Sequence, residues 1–290
     1  MGNRSKKERW VREGITVTDA ITKNGAGRYL CPLCLNWFTD LDDLSLEHAP
    51  PASIGGRHTA VTCRDCNSRS GHTVDAELRR AETLYEFGSR SMTKPMSATA
   101  HYGDVEQRSE IIFGPEGLSI AGVAKQNHPD TAAAVTEVLQ AAAGSKDWSM
   151  TLSLRTPDFR KAAIAWLRAA YLVAFATLGY LYVLLGELEP VREQIRDPDA
   201  EILSRYCLVT SSSAAERRIV SVKEPHDLAS VAVLVGSRAI LLPSPTAPGT
   251  YERLAALDPW PPPGERTLSG EVAAWPTRPA YALDRIALLK

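Results

Sequence analysis

The 290-residue chain has no surplus of charge: 33 lysines and arginines stand against 34 aspartates and glutamates, a formal net charge of −1. Bulk electrostatic attraction to a polyanion is thereby excluded, so any phosphate-binding surface must be local. Residues 1–90 follow the same rule, with 13 basic against 12 acidic side chains. No internal repeat is present, and residues 1–14 are charged and lack the apolar core of a secretory signal. Cysteine is scarce. Of five, four stand in two Cys-x-x-Cys pairs and Cys207 stands alone in an apolar run that reads as a strand. This usage fits a reducing cytoplasm better than a secretory route.

What is there is concentrated near the N-terminus. Cys31-Pro32-Leu33-Cys34 is followed by Leu46-Glu47-His48-Ala49-Pro50-Pro51 with Gly55-Gly56, then by Cys63-Arg64-Asp65-Cys66-Asn67 and Gly71. Two residues inside each Cys-x-x-Cys let both sulfurs of one turn reach the same ion, so Cys31, Cys34, Cys63 and Cys66 are expected to hold one structural zinc. The 28 residues between Cys34 and Cys63 exceed what a simple zinc ribbon requires. An acid, an imidazole and a tight Gly-Gly turn are presented there.

In that order these elements resemble the HNH (ββα-metal) endonuclease family, in the branch with two zinc knuckles. The resemblance spans residues 31–75 and implies phosphodiester hydrolysis, most readily in DNA, to a 5′-phosphate and a 3′-hydroxyl. It implies His48 as general base, a role that suits an imidazole because its ordinary pKa lies near working pH. Glu47, which alternation sends to the other side of the strand, and Asn67 would hold a catalytic Mg²⁺ or Mn²⁺, with His72 the competing candidate. Glu47 departs from the Asp more usual in the family. The family's middle Asn has no counterpart, and His58 occupies roughly its place. Arg57, Arg64 and Arg69 would grip flanking phosphates. Members serve in restriction, phage biology and mobile elements. The alternative is a zinc-dependent nucleic-acid-binding or sensor protein whose HNH site has decayed.

The chain reads as α+β: a small zinc-stapled ββα-metal domain followed by a larger domain of antiparallel sheet and helices. The expected boundaries are a basic arm at 1–28, the zinc-knuckle nuclease domain at 29–88, a linker at 89–100, an α+β domain at 101–245 and a Pro-rich strap at 246–290. Apolar positions at Val74, Leu78, Ala81 and Tyr85 predict a helix ending near Gly88. Gly114-Pro115-Glu116-Gly117 predicts a hairpin between Ser109–Phe113 and Leu118–Val123. Strands are expected at Ile219–Val222, Val231–Val235 and Ala239–Leu242, and helix starts at Glu189-Pro190 and at Asp197-Pro198. Ala169 to Gly186 runs eighteen residues without a charge, close to the ~17–25 that span a bilayer. Its Ala and Gly content and the nearby Arg160, Lys161 and Arg168 favour a buried core helix over 159–186, with no membrane partner. The C-terminal domain is expected to supply substrate recognition, a homo-oligomer contact or control.

Overall fold

The computed structural model describes residues 2–22, 25–144, 148–210 and 217–281. The chain is α+β and divides into two compact units: residues 1–78 together with 159–290, and residues 79–158.

The first unit opens with α1 (Asn3–Ile21), within the stretch expected as a basic arm. Trp10, Val11, Gly14 and Thr18 fall on one face of this helix and are buried, and Trp10 is only 1% exposed. That face is what turns the arm into an ordered element. Gly14 is required for close approach, since a Cβ there would stand 2.7 Å from the Tyr29 ring. Two short strands, β1 (Tyr29–Leu30) and β2 (Trp37–Phe38), flank the first knuckle. A second hairpin joins β3 (Leu44–Ala49) to β4 (Arg57–Cys63). Its Gly-Gly turn has a steric reason: Gly55 has φ +80°, and a Cβ on Gly56 would lie 1.5 Å from the Pro50 carbonyl oxygen. Two helices follow, α2 (Arg64–Thr73) and α3 (Asp75–Gly88), the second ending where apolar spacing placed it.

The second unit is built on a four-stranded antiparallel sheet of β5 (Met96–Tyr102), β6 (Val105–Gly114), β7 (Gly117–Gly122) and β8 (Thr151–Ser153), in the order β7-β6-β5-β8. The Gly114-to-Gly117 hairpin is present as expected. The helix α4 (Thr131–Ala142) brings Val135 and Val138 against Ala100, Tyr102, Ile120 and Leu152. Met96–Tyr102 thus replaces part of the expected linker with a strand, of which Ala100 and Tyr102 enter this core.

The first unit resumes at α5 (Phe159–Leu178), which is buried almost throughout. Gly179, at φ +75°, ends it, and a short α6 (Tyr180–Val183) continues in a new direction, so the expected helix to 186 is broken in two. Among the described residues α5 alone is long and apolar enough to cross a membrane, and 89% of its apolar window is covered by the protein itself. Its covers are β3 and β4 on one side of the chain and, from far along the sequence, α7 (Glu189–Arg196) and a five-stranded sheet. That sheet comprises β9 (Cys207–Val209), β10 (Arg217–Glu224), β11 (Ser230–Val235), β12 (Arg238–Leu242) and β13 (Ser269–Ala274), ordered β13-β10-β11-β12-β9. A helix apolar all round must be enclosed, and the β3–β4 hairpin supplies part of the enclosure. The boundaries differ from the expected ones for this reason: the 101–245 segment does not form one domain, and its later half belongs with the zinc region.

Two further differences are local. No helix starts at Asp197-Pro198, because Asp197 Oδ1 accepts from the Asp199 and Ala200 amides and closes a turn. The strap at 246–290 contributes α8 (Thr250–Ala256) and β13, which pairs with β10; its residues 282–290 lie outside the described residues.

Candidate metal centre and active site

The two knuckles meet as the spacing requires. The Sγ atoms of Cys31, Cys34, Cys63 and Cys66 lie within 4.8 Å of one another, and Cys34 and Cys63 are 3.8 Å apart. A tetrahedral zinc with Zn–S bonds of about 2.3 Å places its sulfurs about 3.8 Å apart, so the cluster fits one structural zinc ion. Hydrogen bonding from Cys31 is the main cause that lowers both Cys34, far below the ordinary thiol value, and Cys63, to about 7. Cys63 also caps α2, its sulfur accepting from the Cys66 amide at 3.5 Å.

The backbone of this centre is braced by buried tyrosines. The Tyr171 hydroxyl on α5 donates to the Pro32 carbonyl inside the first knuckle at 2.5 Å, and the Tyr180 hydroxyl on α6 donates to the Leu30 carbonyl at 2.7 Å. Tyr29 donates to the Val61 carbonyl on β4 at 2.8 Å.

Strand register decides which side chains share a face. Leu46 faces Val61 and Glu47 faces Ala60, but His48 faces His58, because Thr59 is bulged out of the pairing. His48 and His58 therefore meet, with ring centroids 4.1 Å apart and planes at 45°. Both are half-buried. Burial first, then the neighbouring His48 and Lys6 of α1, lowers the pKa of His58 below the ordinary imidazole value. His58, which the sequence placed roughly where the family keeps its middle Asn, is in direct ring contact with His48.

His58 of this pair lines an open groove of about 450 Å³, whose charged walls are Arg4, Lys7 and Glu8 of α1 with Asp42 and Arg64. Lys7 is held there by the Leu41 and Leu44 carbonyls at 2.7 and 3.0 Å. Arg57, Arg64 and Arg69 are all exposed, Arg64 at the first turn of α2 and lining the groove.

Glu47 points the other way. It is 3% exposed, its Oε2 lies 2.8 Å from Nη2 of Arg168 on α5, and the Thr62 hydroxyl donates to the same oxygen at 3.2 Å. Arg168 is 1% exposed and also faces Asp75, Nη1 to Oδ2, at 3.6 Å. The Glu47 contact is off the N–H axis, so Nε and Nη2 of Arg168, like Oδ1 of Asp75, have no aligned hydrogen-bond partner. Burial, reinforced by the Glu47 charge and opposed by Arg168, raises Asp75 to about 6.

Asn67 sits half-buried on α2 and donates through Nδ2 to the Ser45 hydroxyl at 2.8 Å, which leaves its carbonyl oxygen as the available ligand atom. His72 is exposed and five residues further along the same helix, about 140° around its axis from Asn67. A divalent ion bound by Glu47 and Asn67 would need the carboxylate that Arg168 already neutralises. The pair as placed does not fit that ion. Arg168, Asp75 and Thr62 had not been singled out for this site from sequence; the one signal for Arg168 was a single arginine within an otherwise apolar run.

Residues 31–83 match the model of the HNH endonuclease family. No curated protein and no solved structure matches the chain.

Proposed function

We propose that this HNH domain is a cytoplasmic endonuclease that hydrolyses phosphodiester bonds in DNA, with His48 as the general base. The observation that carries the reading is the His48–His58 contact at the mouth of a hairpin whose far end is stapled by the cysteine cluster. An imidazole held by ring contact with His58, which lines a groove of mixed charge, and half-open to solvent is placed to take a proton from water.

The steps follow from that placement. Arg57, Arg64 and Arg69 would pair with phosphates flanking the target, Arg64 from within the groove. His48 accepts a proton from a water whose oxygen then attacks phosphorus. The bond from phosphorus to the 3′ oxygen breaks, that oxygen takes up a proton, and the products are a 5′-phosphate and a 3′-hydroxyl. His58, its imidazolium disfavoured by burial, His48 and Lys6, would orient its neighbour without competing for the positive charge. Asn67, whose carbonyl oxygen is left available, is a ligand this chain would offer to Mg²⁺ or Mn²⁺, which would supply positive charge. Structural zinc at Cys31, Cys34, Cys63 and Cys66 would hold β4 and α2 in register.

Supercoiled plasmid incubated with purified protein and Mg²⁺ or Mn²⁺ tests the proposal by the appearance of nicked circles. His48→Ala should keep the fold and the zinc and slow nicking by ~10²–10⁴. Parental rates in His48→Ala, under matched ion and salt, would refute the assignment. A second reading, a zinc-dependent nucleic-acid-binding or sensor protein without cleavage, draws support from the engagement of Glu47 by Arg168. Plasmid retention without nicking under any ion would favour it.

A further inference from the structure

The most unusual group near the site comes from outside the family segment. Arg168 lies within α5, where Leu167, Ala169, Ala170, Tyr171 and Leu172 are all buried. A lone guanidinium in such surroundings is costly unless an anion meets it, and long apolar helices rarely carry one. The anion that meets it is Glu47, the residue immediately before the proposed base. The bulge at Thr59 makes that juxtaposition consequential: Glu47 is drawn inward while His48, next along β3, is set against His58 on the opposite face. The same helix pins the first knuckle through Tyr171, so α5 braces the zinc hairpins at two points.

We infer that Arg168 is a positioning residue for His48, acting through Glu47, which serves as a buried counter-ion and strand anchor instead of as a ligand of the divalent ion. The inference rests on the nuclease reading for its catalytic consequence, but its geometry is independent of it. Asp75, facing Arg168 at 3.6 Å, is the second carboxylate of the anchor. Because the guanidinium comes from α5, the nuclease unit is built from two separated stretches of chain, residues 1–78 and the region that follows residue 158.

The test compares Arg168→Lys, Arg168→Gln, Glu47→Gln and the double variant Glu47→Gln/Arg168→Gln in the full chain with its zinc. Plasmid nicking is measured over a range of Mn²⁺, and the His48 imidazole is titrated by ¹⁵N NMR. Each glutamine variant should lose ~10–10² in kcat, the scale of a small misplacement of a reacting group. The Mn²⁺ concentration for half-maximal rate should stay within about twofold of the parent, since no ion ligand has been removed. The double variant should be no slower than the slower single, because the two residues act as one unit, and Arg168→Lys should recover part of the rate by keeping the charge. The His48 titration should shift in Arg168→Gln. A Mn²⁺ requirement raised about tenfold or more in Glu47→Gln but not in Arg168→Gln would make Glu47 an ion ligand and overturn the inference. Parental kcat and a parental His48 titration in Arg168→Gln would overturn it too. If the parent never nicks plasmid, the nuclease reading alone fails, and the His48 titration still decides the positioning role. Should the single variants not fold, the double variant, which removes both charges together, and Arg168→Lys carry the same comparison, a parental titration in the double variant counting against the inference.

Discussion

Stripping zinc with a chelator should unfold more than the two knuckles. Structural zinc sites contribute on the order of 10–16 kcal/mol to folding at neutral pH, against about 5–15 kcal/mol for the net stability of a typical domain. Removing the ion from four sulfurs packed within 4.8 Å therefore exceeds what the rest of the unit can spare. The damage should pass into α5 by identifiable contacts. The Tyr171 hydroxyl loses the Pro32 carbonyl and the Tyr180 hydroxyl loses the Leu30 carbonyl, each a fully buried hydrogen bond of about 1 kcal/mol with a further penalty for the group left unpaired. Arg168 then faces a strand that no longer fixes Glu47. Hydrogen exchange read by mass spectrometry should show lost protection at residues 29–66 and also at 159–183, while 96–122, whose sheet has its own core, stays protected. Melting temperature should rise with free zinc, as about 1.4 kcal/mol is added per tenfold concentration above saturation. Binding should also weaken on acidification, because the thiols must give up their protons. A metal-free protein with the parental melting temperature and undiminished protection in α5 would refute the reasoning.

Three other expectations are simpler to check. Leu172→Asp puts a charge at a fully buried position of α5 and should cost on the order of 5 kcal/mol or more, seen as lost soluble yield, whereas Leu184→Asp, at a position 39% exposed, should change stability by only about 0.5 kcal/mol; equal effects would deny that α5 is core. Asp75 has a folded pKa of about 6, above the ordinary carboxylate value, so its contribution to stability is fully present below about pH 4 and is lost as the pH rises to 6 and beyond. Asp75→Asn should accordingly gain on the parent by up to roughly 3 kcal/mol between pH 4 and pH 7 in paired melts, and a flat or falling difference would contradict the raised value. Arg64→Gln should weaken plasmid binding at low salt and make log K against log salt shallower by about 0.9 if one phosphate contact is lost; an unchanged slope would remove Arg64 from the interface.

The sequence alone determined the four-cysteine cluster, because two residues between paired cysteines already let both sulfurs reach one ion, whatever surrounds them. It determined the Gly55-Gly56 turn and the hairpin at Gly114-to-Gly117, where backbone conformation and close approach admit few residues besides glycine. Periodicity was enough for the end of α3 and for β9, β10, β11 and β12, whose side chains alternate or run apolar over short stretches, but not for β13, which lies in the Pro-rich stretch. The sequence could also say that the long apolar run was core, since its charges cluster at one end. Tertiary structure alone decided what that run encloses and what encloses it. A helix apolar on every side carries no information about its neighbours, so nothing local told that β3 and β4 would cover α5, or that residues 79–158 would form a unit of their own. The ordering of α1 was hidden for a related reason: Gly14 reads as part of an arm until Tyr29 packs against it. The fate of Glu47 turned on the same kind of long-range choice. Strand alternation placed it opposite His48, but only the burial of Arg168 against it determined that its charge is met by a guanidinium from α5, because pairing of buried charges is settled by which elements pack together and not by their order along the chain.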